Sequence, residues 1–232
     1  MSIGYSQQCR TFGTCPSSGK CSGRVLPDLC QRLHGYVAPV RLAGLHRQPR
    51  PRDPGARWAA SHVVVSGGLI QLNTWQDPAY GNEWVAGGIC QCGHGQTYGA
   101  YFVRSRLTGA GGRPLLWPVA NVWPPEIDFN ETGGDTSGTS ATVHWGSSNS
   151  QEQHTFKIDM TLWHTWGVVW TPSSITYTID GHAWATVSSP SEIPNQTMTL
   201  DLDQQTWCQS GWACPTTPQS ELIDWTAEYT AK

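Results

Sequence analysis

From Trp58 onward, apolar and polar side chains alternate at every second position in short runs, the periodicity of strands and not of helices. Ile175, Tyr177 and Ile179 alternate with Thr176, Thr178 and Asp180. Asp180-Gly181 then supplies a hairpin turn, with Trp184 and Val187 beyond it. HVVV and LIQL flank Gly67-Gly68, and TYGAYFVRSRL, SATVHWG, TWGVVWT, MTLDLD and LIDWTAEY repeat the pattern. Gly, Pro, Asn or Ser clusters bound each run and punctuate it into antiparallel strands. No helical stripe of ten residues interrupts them. The expected fold is all-β, a two-sheet antiparallel β-sandwich or jelly roll.

Composition narrows the function. Charged residues are 13% of the 232, about half the usual share for a globular domain, while there are 13 Trp. A net charge of -3 offers no basic field for nucleic acid. No run approaches the ~20 apolar residues of a membrane helix, so neither nucleic acid nor membrane is an expected partner. Charge is uneven along the chain. Residues 1–57 carry eight of the eleven Arg plus Lys20 against Asp28 and Asp53, while the remainder holds fifteen acids and five bases. All the Trp fall in that remainder. Residues 1–53 therefore read as an atypical basic Cys/Arg/Pro-containing segment, disordered or translated out of frame from a GC-rich gene. Residues 54–232 form the sandwich domain.

Cys208 and Cys214 bracket WCQSGWAC, and a disulfide closing that loop is the expected pairing, which implies an oxidising compartment. Cys90 and Cys92 form a C-x-C, and Cys9, Cys15, Cys21 and Cys30 crowd the start. Neither the Cys spacings nor the scattered His residues match a zinc site. The first residues lack the basic and apolar regions of a signal peptide.

Chemistry concentrates in Trp123-Pro-Pro-Glu-Ile-Asp-Phe-Asn-Glu131, whose carboxylates stand at i, i+2 and i+5. On a regular strand Glu126 and Asp128 share a face and Glu131 points the other way. One extra residue, a β-bulge, brings Glu131 onto the same face and sends Ile127 and Phe129 into the core. Three acids on one face repel each other and cost stability unless something uses them. Retaining glycoside hydrolysis does, with one carboxylate as nucleophile and a protonated one as acid.

E-I-D-F-N-E resembles the E-x-D-x-x-E signature of glycoside hydrolase family 16, the concanavalin-like jelly-roll β-glucanases. Further similar segments run in order: Gln96 to Arg104, Leu116-Trp117-Pro118, His144-Trp145, Trp163 to Pro172 with Ile179-Asp180-Gly181, and Leu222 to Tyr229. The resemblance covers about residues 55–232 and departs over residues 1–53, which lack the family's acidic, aromatic opening. It implies Glu126 as nucleophile, Asp128 as its helper and Glu131 as acid/base. Trp117, Trp123 and Trp145 are candidate sugar platforms, with half-buried core as the other reading of each. Arg104 either bonds substrate or orients Glu126, or else forms a structural salt bridge. His144 either touches substrate or Glu131, or makes a structural hydrogen bond.

The implied substrate is a polysaccharide, β-1,3- or β-1,3/1,4-glucan first and galactans second, cut by a secreted monomer without an organic cofactor. Asp224 matches a position where some relatives hold a structural calcium. The alternative function is a non-catalytic carbohydrate-binding module of the same fold. Of the sequons Asn130-Glu-Thr and Asn195-Gln-Thr, a glycan on the first would block the cleft.

Overall fold

The computed structural model describes residues 33–35, 43–44, 56–92 and 94–231. The first strands are β1 (Leu33–Gly35), β2 (Ala43–Gly44), β3 (Val63–Ser66), β4 (Leu69–Asp77), β5 (Glu83–Ala86), β6 (Gly88–Cys90), β7 (Gly99–Leu107) and β8 (Gly112–Pro118). There follow β9 (Glu126–Glu131), β10 (Gly138–Trp145), β11 (Ser150–Lys157), β12 (His164–Trp170), β13 (Ile175–Ile179), β14 (His182–Val187), β15 (Met198–Gln204) and β16 (Gln219–Ala231). Helix is limited among the described residues to two three-residue 3-10 turns.

The strands form two antiparallel sheets. One runs β14-β13-β12-β7-β16-β4-β3, with β1 on β16 and β5 on β4; the other runs β11-β10-β9-β8-β15-β6-β2. The expected sandwich is what the chain forms. Two short pieces of the basic front segment pair at sheet positions, β1 with β16 and β2 with β6. The rest of residues 1–53, including Cys9, Cys15, Cys21 and Cys30, lies outside the described residues.

Alternation explains how the layers close. Leu116, Ile127, Phe129, Val143, Leu200 and Leu202 of the seven-stranded sheet are buried against Leu72, Tyr101, Val103, Trp166, Val168 and Tyr177 of the other. Side chains two positions apart on a strand share a face, except where the register shifts after Phe129. The hairpins follow the sequence too. Asp180 and Gly181 both take positive φ (49° and 82°), as do Gly67 and Gly68 (59° and 79°), the conformation that two-residue hairpin turns demand. The Cys208–Cys214 disulfide is present, and Cys90 is joined to Cys92.

Candidate active site

The register between β9 and β10 sets the site. His144 lies opposite Glu126, Val143 opposite Ile127 and Thr142 opposite Asp128, and then Ser140 lies opposite Glu131. Three residues of β9 thus span the two steps of β10 from Thr142 to Ser140, which is a β-bulge. Ser140, Thr142 and His144 are alternate residues and share one face, so their partners Glu131, Asp128 and Glu126 share it as well. Ile127 and Phe129 point the other way into the core. The extra residue also explains Asn130, fully buried with its Oδ1 accepting a hydrogen bond from Thr139 Oγ1 at 2.6 Å. That burial excludes a glycan at Asn130.

A buried cation neutralises the acids. Arg113 on β8 donates from Nε and Nη2 to the two oxygens of Asp203 on β15, at 3.3 and 3.1 Å. Its Nη1 lies 3.5 Å from Glu126 Oε1 and 4.0 Å from Asp128 Oδ1. Burial opposes this charge, but Asp203, Glu126, Asp128 and Glu131 hold the guanidinium protonated well above its ordinary value. Trp123 Nε1 donates to Glu126 Oε2 at 2.6 Å. Gln205, just beyond β15, donates from Nε2 to Glu131 Oε1 at 3.0 Å. His144 Nε2 lies 3.5 Å from Asp128 Oδ2 while its Nδ1 meets Asn149 Oδ1 at 2.9 Å.

These contacts set the proton inventory. Burial first, and then the Asp128 charge, push Glu126 up to about 8 and Glu131 up to about 7. Burial works against a charged His144, yet the hydrogen bond and charge of Asp128, with the charge of Glu126, raise it to about 9. The two glutamates therefore share a proton around neutral pH. Partners favour its location. Glu126 receives an indole N–H and faces a guanidinium, both of which prefer a carboxylate. Glu131 receives a single amide N–H on Oε1. These partners draw Glu126 toward the carboxylate form and leave Glu131 to share the pair's proton.

The candidate binding residues divide between the sheets. Trp123 and His144 reach the acids, their rings 5.7 Å apart; His144 engages Asp128 and not Glu131. Trp117 alternates with Leu115, which lies opposite Asp128, so it belongs to the cleft face. It is only 5% exposed and donates to Asn121, leaving little ring for a sugar. Trp145 is not in the cleft. It follows His144 by one residue, so its side chain takes the other face and packs on the core.

Arg104 is not in the cleft either. It sits on β7 in the opposite sheet, pairing with Asp224 at 2.6 Å and lying 4.8 Å over the Trp163 ring. Val103 points to the core, so alternation turns Arg104 to that sheet's outer surface. The same pair bears on the expectation of calcium at Asp224. The Arg104 guanidinium pairs with the carboxylate, and Asp224 belongs to no cluster of three or more His, Cys, Asp or Glu ligands among the described residues. The N-terminal partners that a structural calcium would need lie outside the described residues.

Arg113 and Gln205 are the functional candidates that sequence reading missed. Arg113 had a signal: it is one of three Arg in the whole of residues 58–232, two positions from Leu115 on a strand otherwise without charge.

Comparison with known proteins bears on family and fold. The family model of glycosyl hydrolases family 16 matches residues 54–227. Endo-1,3-1,4-beta-glycanase ExsH of Rhizobium meliloti is 37% identical over 105 residues, and a second glycanase of that organism, EglC, is 34% identical. The matched region is 42% of this chain and 23% of either relative's length. Among solved structures, the laminarinase from Rhodothermus marinus superposes with a TM-score of 0.66 at 19% identity, covering 86% of this chain and 94% of that one. The laminarinase catalytic domain from Thermotoga maritima gives 0.67 at 16%, covering 86% and 95%. These two establish likeness of fold. With the family model spanning the acid strand and both sheets, the chain belongs to glycosyl hydrolases family 16.

Proposed function

We propose that residues 54–232 form a retaining endo-glycosidase acting on β-1,3- or β-1,3/1,4-glucan. The observation that carries this reading is the bulge that sets Glu126, Asp128 and Glu131 on one face of the seven-stranded sheet. The names of the two rhizobial relatives support the choice of linkage.

In the first step the Glu126 carboxylate attacks the anomeric carbon, the bond to the leaving sugar breaks, and Glu131 gives its proton to the departing oxygen. Water then attacks the glycosyl ester, Glu131 takes its proton, and Glu126 is released. Asp128 stands between the two. Its charge raises both glutamates and keeps a proton available on Glu131 near neutral pH. Arg113 offsets the summed negative charge so that Glu126 can ionise although buried. Trp123 fixes the Glu126 carboxylate through its indole N–H and is the proposed sugar platform. No organic cofactor enters either step.

Secretion belongs to the same proposal, supported by the two disulfides and by a polymeric substrate. The described residues contain no helix long and apolar enough to cross a membrane.

The test is reducing-end release from laminarin, lichenan and agarose by the wild type and Glu126→Gln. Release from a glucan by the wild type and a fall of roughly 10³-fold or more in the variant is expected. Equal rates in both would end the assignment, and binding without release would support a carbohydrate-binding module instead.

A further inference from the structure

Glu126, Asp128 and His144 also meet as a set of metal-type donors. Glu126 and His144 are directly opposed across β9 and β10, and Asp128 follows Glu126 on the same face. One carboxylate oxygen from each acid and one imidazole nitrogen lie within 4.8 Å of one another. His144 Nε2 stands 3.5 Å from Asp128 Oδ2. Two ligands held by zinc at ~2.1 Å with a tetrahedral angle between them stand roughly 3.4 Å apart. The pair already has that bite. Its members come from two strands, so spacing along the chain gives no zinc signature.

Two further features point to a bound cation. Asn149 Oδ1, 2.9 Å from His144 Nδ1, can only accept, so that nitrogen carries the hydrogen. In the neutral ring Nε2 then presents its lone pair toward Asp128, and metal-bound histidines are held in the same way, by an acceptor on the far nitrogen. Asp128 is 1% exposed, and its Oδ1 makes no hydrogen bond, with Arg113 Nη1 4.0 Å away. A carboxylate buried so deeply has bonding capacity left over. Charge agrees. Even with one proton on the glutamate pair, Asp128, Asp203 and the other glutamate outweigh Arg113. An imidazole with two carboxylates suits Zn²⁺, whereas Ca²⁺ and Mg²⁺ prefer oxygen ligands throughout.

We propose that a divalent transition-metal ion, Zn²⁺ as the type, binds Glu126, Asp128 and His144 and inhibits the enzyme in competition with glucan. The ion takes the place of the proton that Asp128 attracts to His144, and it occupies a Glu126 oxygen needed for attack on the sugar. The inhibition rests on the glycosidase reading given above; the binding does not.

Calorimetric titration of Zn²⁺ into the full chain with its disulfides intact reads the binding, and initial rates on laminarin read the inhibition. The wild type is expected to bind one Zn²⁺ that His144→Gln binds at least about tenfold more weakly. Asp128→Asn, which alters no histidine, should weaken the same ion by a similar factor, and Asn149→Ala severalfold. On laminarin, Zn²⁺ should raise KM and leave kcat unchanged, with Ki at least about tenfold higher in His144→Gln. Ca²⁺ at the same concentration should not inhibit. Equal zinc binding by the wild type and the three variants, inhibition that lowers kcat at unchanged KM, or equal inhibition by Ca²⁺ would each overturn the inference. A chain that binds zinc as expected but cleaves no glucan would sink the glycosidase reading and the inhibition while supporting the metal site.

Discussion

In the proposed mechanism Glu131 can serve as acid because burial and the Asp128 charge hold a proton on the Glu126/Glu131 pair at a pH where an ordinary glutamate has lost it. The last proton of the Glu126/Glu131 pair leaves between about 7 and 8. Activity requires that proton, so kcat/KM should fall above this range, by up to about tenfold per pH unit. Asp128→Asn removes a charge that raises both glutamates, so the alkaline limb should move to lower pH. A pH–rate profile checks the direction; an unmoved or upward limb contradicts the role given to Asp128. Arg113 carries a second prediction at this scale. Arg113→Met leaves Asp203, Asp128 and Glu126 buried without their cation, and urea unfolding at pH 7 should show a loss of about 3–5 kcal/mol. A loss below 1 kcal/mol would contradict the charge clamp. The sequence made the acids legible because their spacing alone exposes the parity problem that a bulge solves. It hid Arg113, whose meaning depends on which strands flank β8. It misplaced Arg104 and Trp145 because motif proximity says nothing about sheet or face. One position separates His144 in the cleft from Trp145 on the core.

At the scale of the element, the bulge in β9 corrects an odd spacing. Deleting Asn130 would shorten the acid spacing to i, i+2, i+4, which a regular strand keeps on one face. The deletion variant should therefore fold with a stability loss of about 1–3 kcal/mol, from the buried Thr139 contact, and retain activity reduced about 10²-fold by the displaced acid. Adding Glu131→Gln to it should cost at least about tenfold more, since the acid still works. No further loss from that second change would show that parity alone does not carry Glu131 to the site. The strands themselves were readable from period-two alternation and from Asp180-Gly181 and Gly67-Gly68. What alternation could not supply was the pairing order. Which run lies on the far side of β8 depends on a contact between strands distant in the chain, β8 with β15.

For the whole molecule, buried acids make stability depend on pH in one direction. Burial raises Glu221 to about 8, and Glu126 and Glu131 are raised as well. A carboxyl raised on folding contributes stability that is full below its ordinary value near 4.5 and is lost as pH rises through its folded value. Raised His144 has the same sign, full below its ordinary value of 6.5 and lost through about 9. Tm should therefore be higher at pH 5 than at pH 8.5. Glu221→Gln should flatten that slope by up to about 1.4 kcal/mol per pH unit, and an unchanged slope would contradict its burial as a protonated acid.

The central claim is that the bulge pairs Glu126 and Glu131 as nucleophile and acid. A 2-deoxy-2-fluoro aryl β-laminaribioside, which slows the second step and traps the glycosyl ester, tests it most directly when followed by peptide mass mapping. The account predicts a single label on Glu126, formed in the wild type and absent in Glu126→Gln. A label on any other residue, or none while the enzyme turns over glucan, would contradict it.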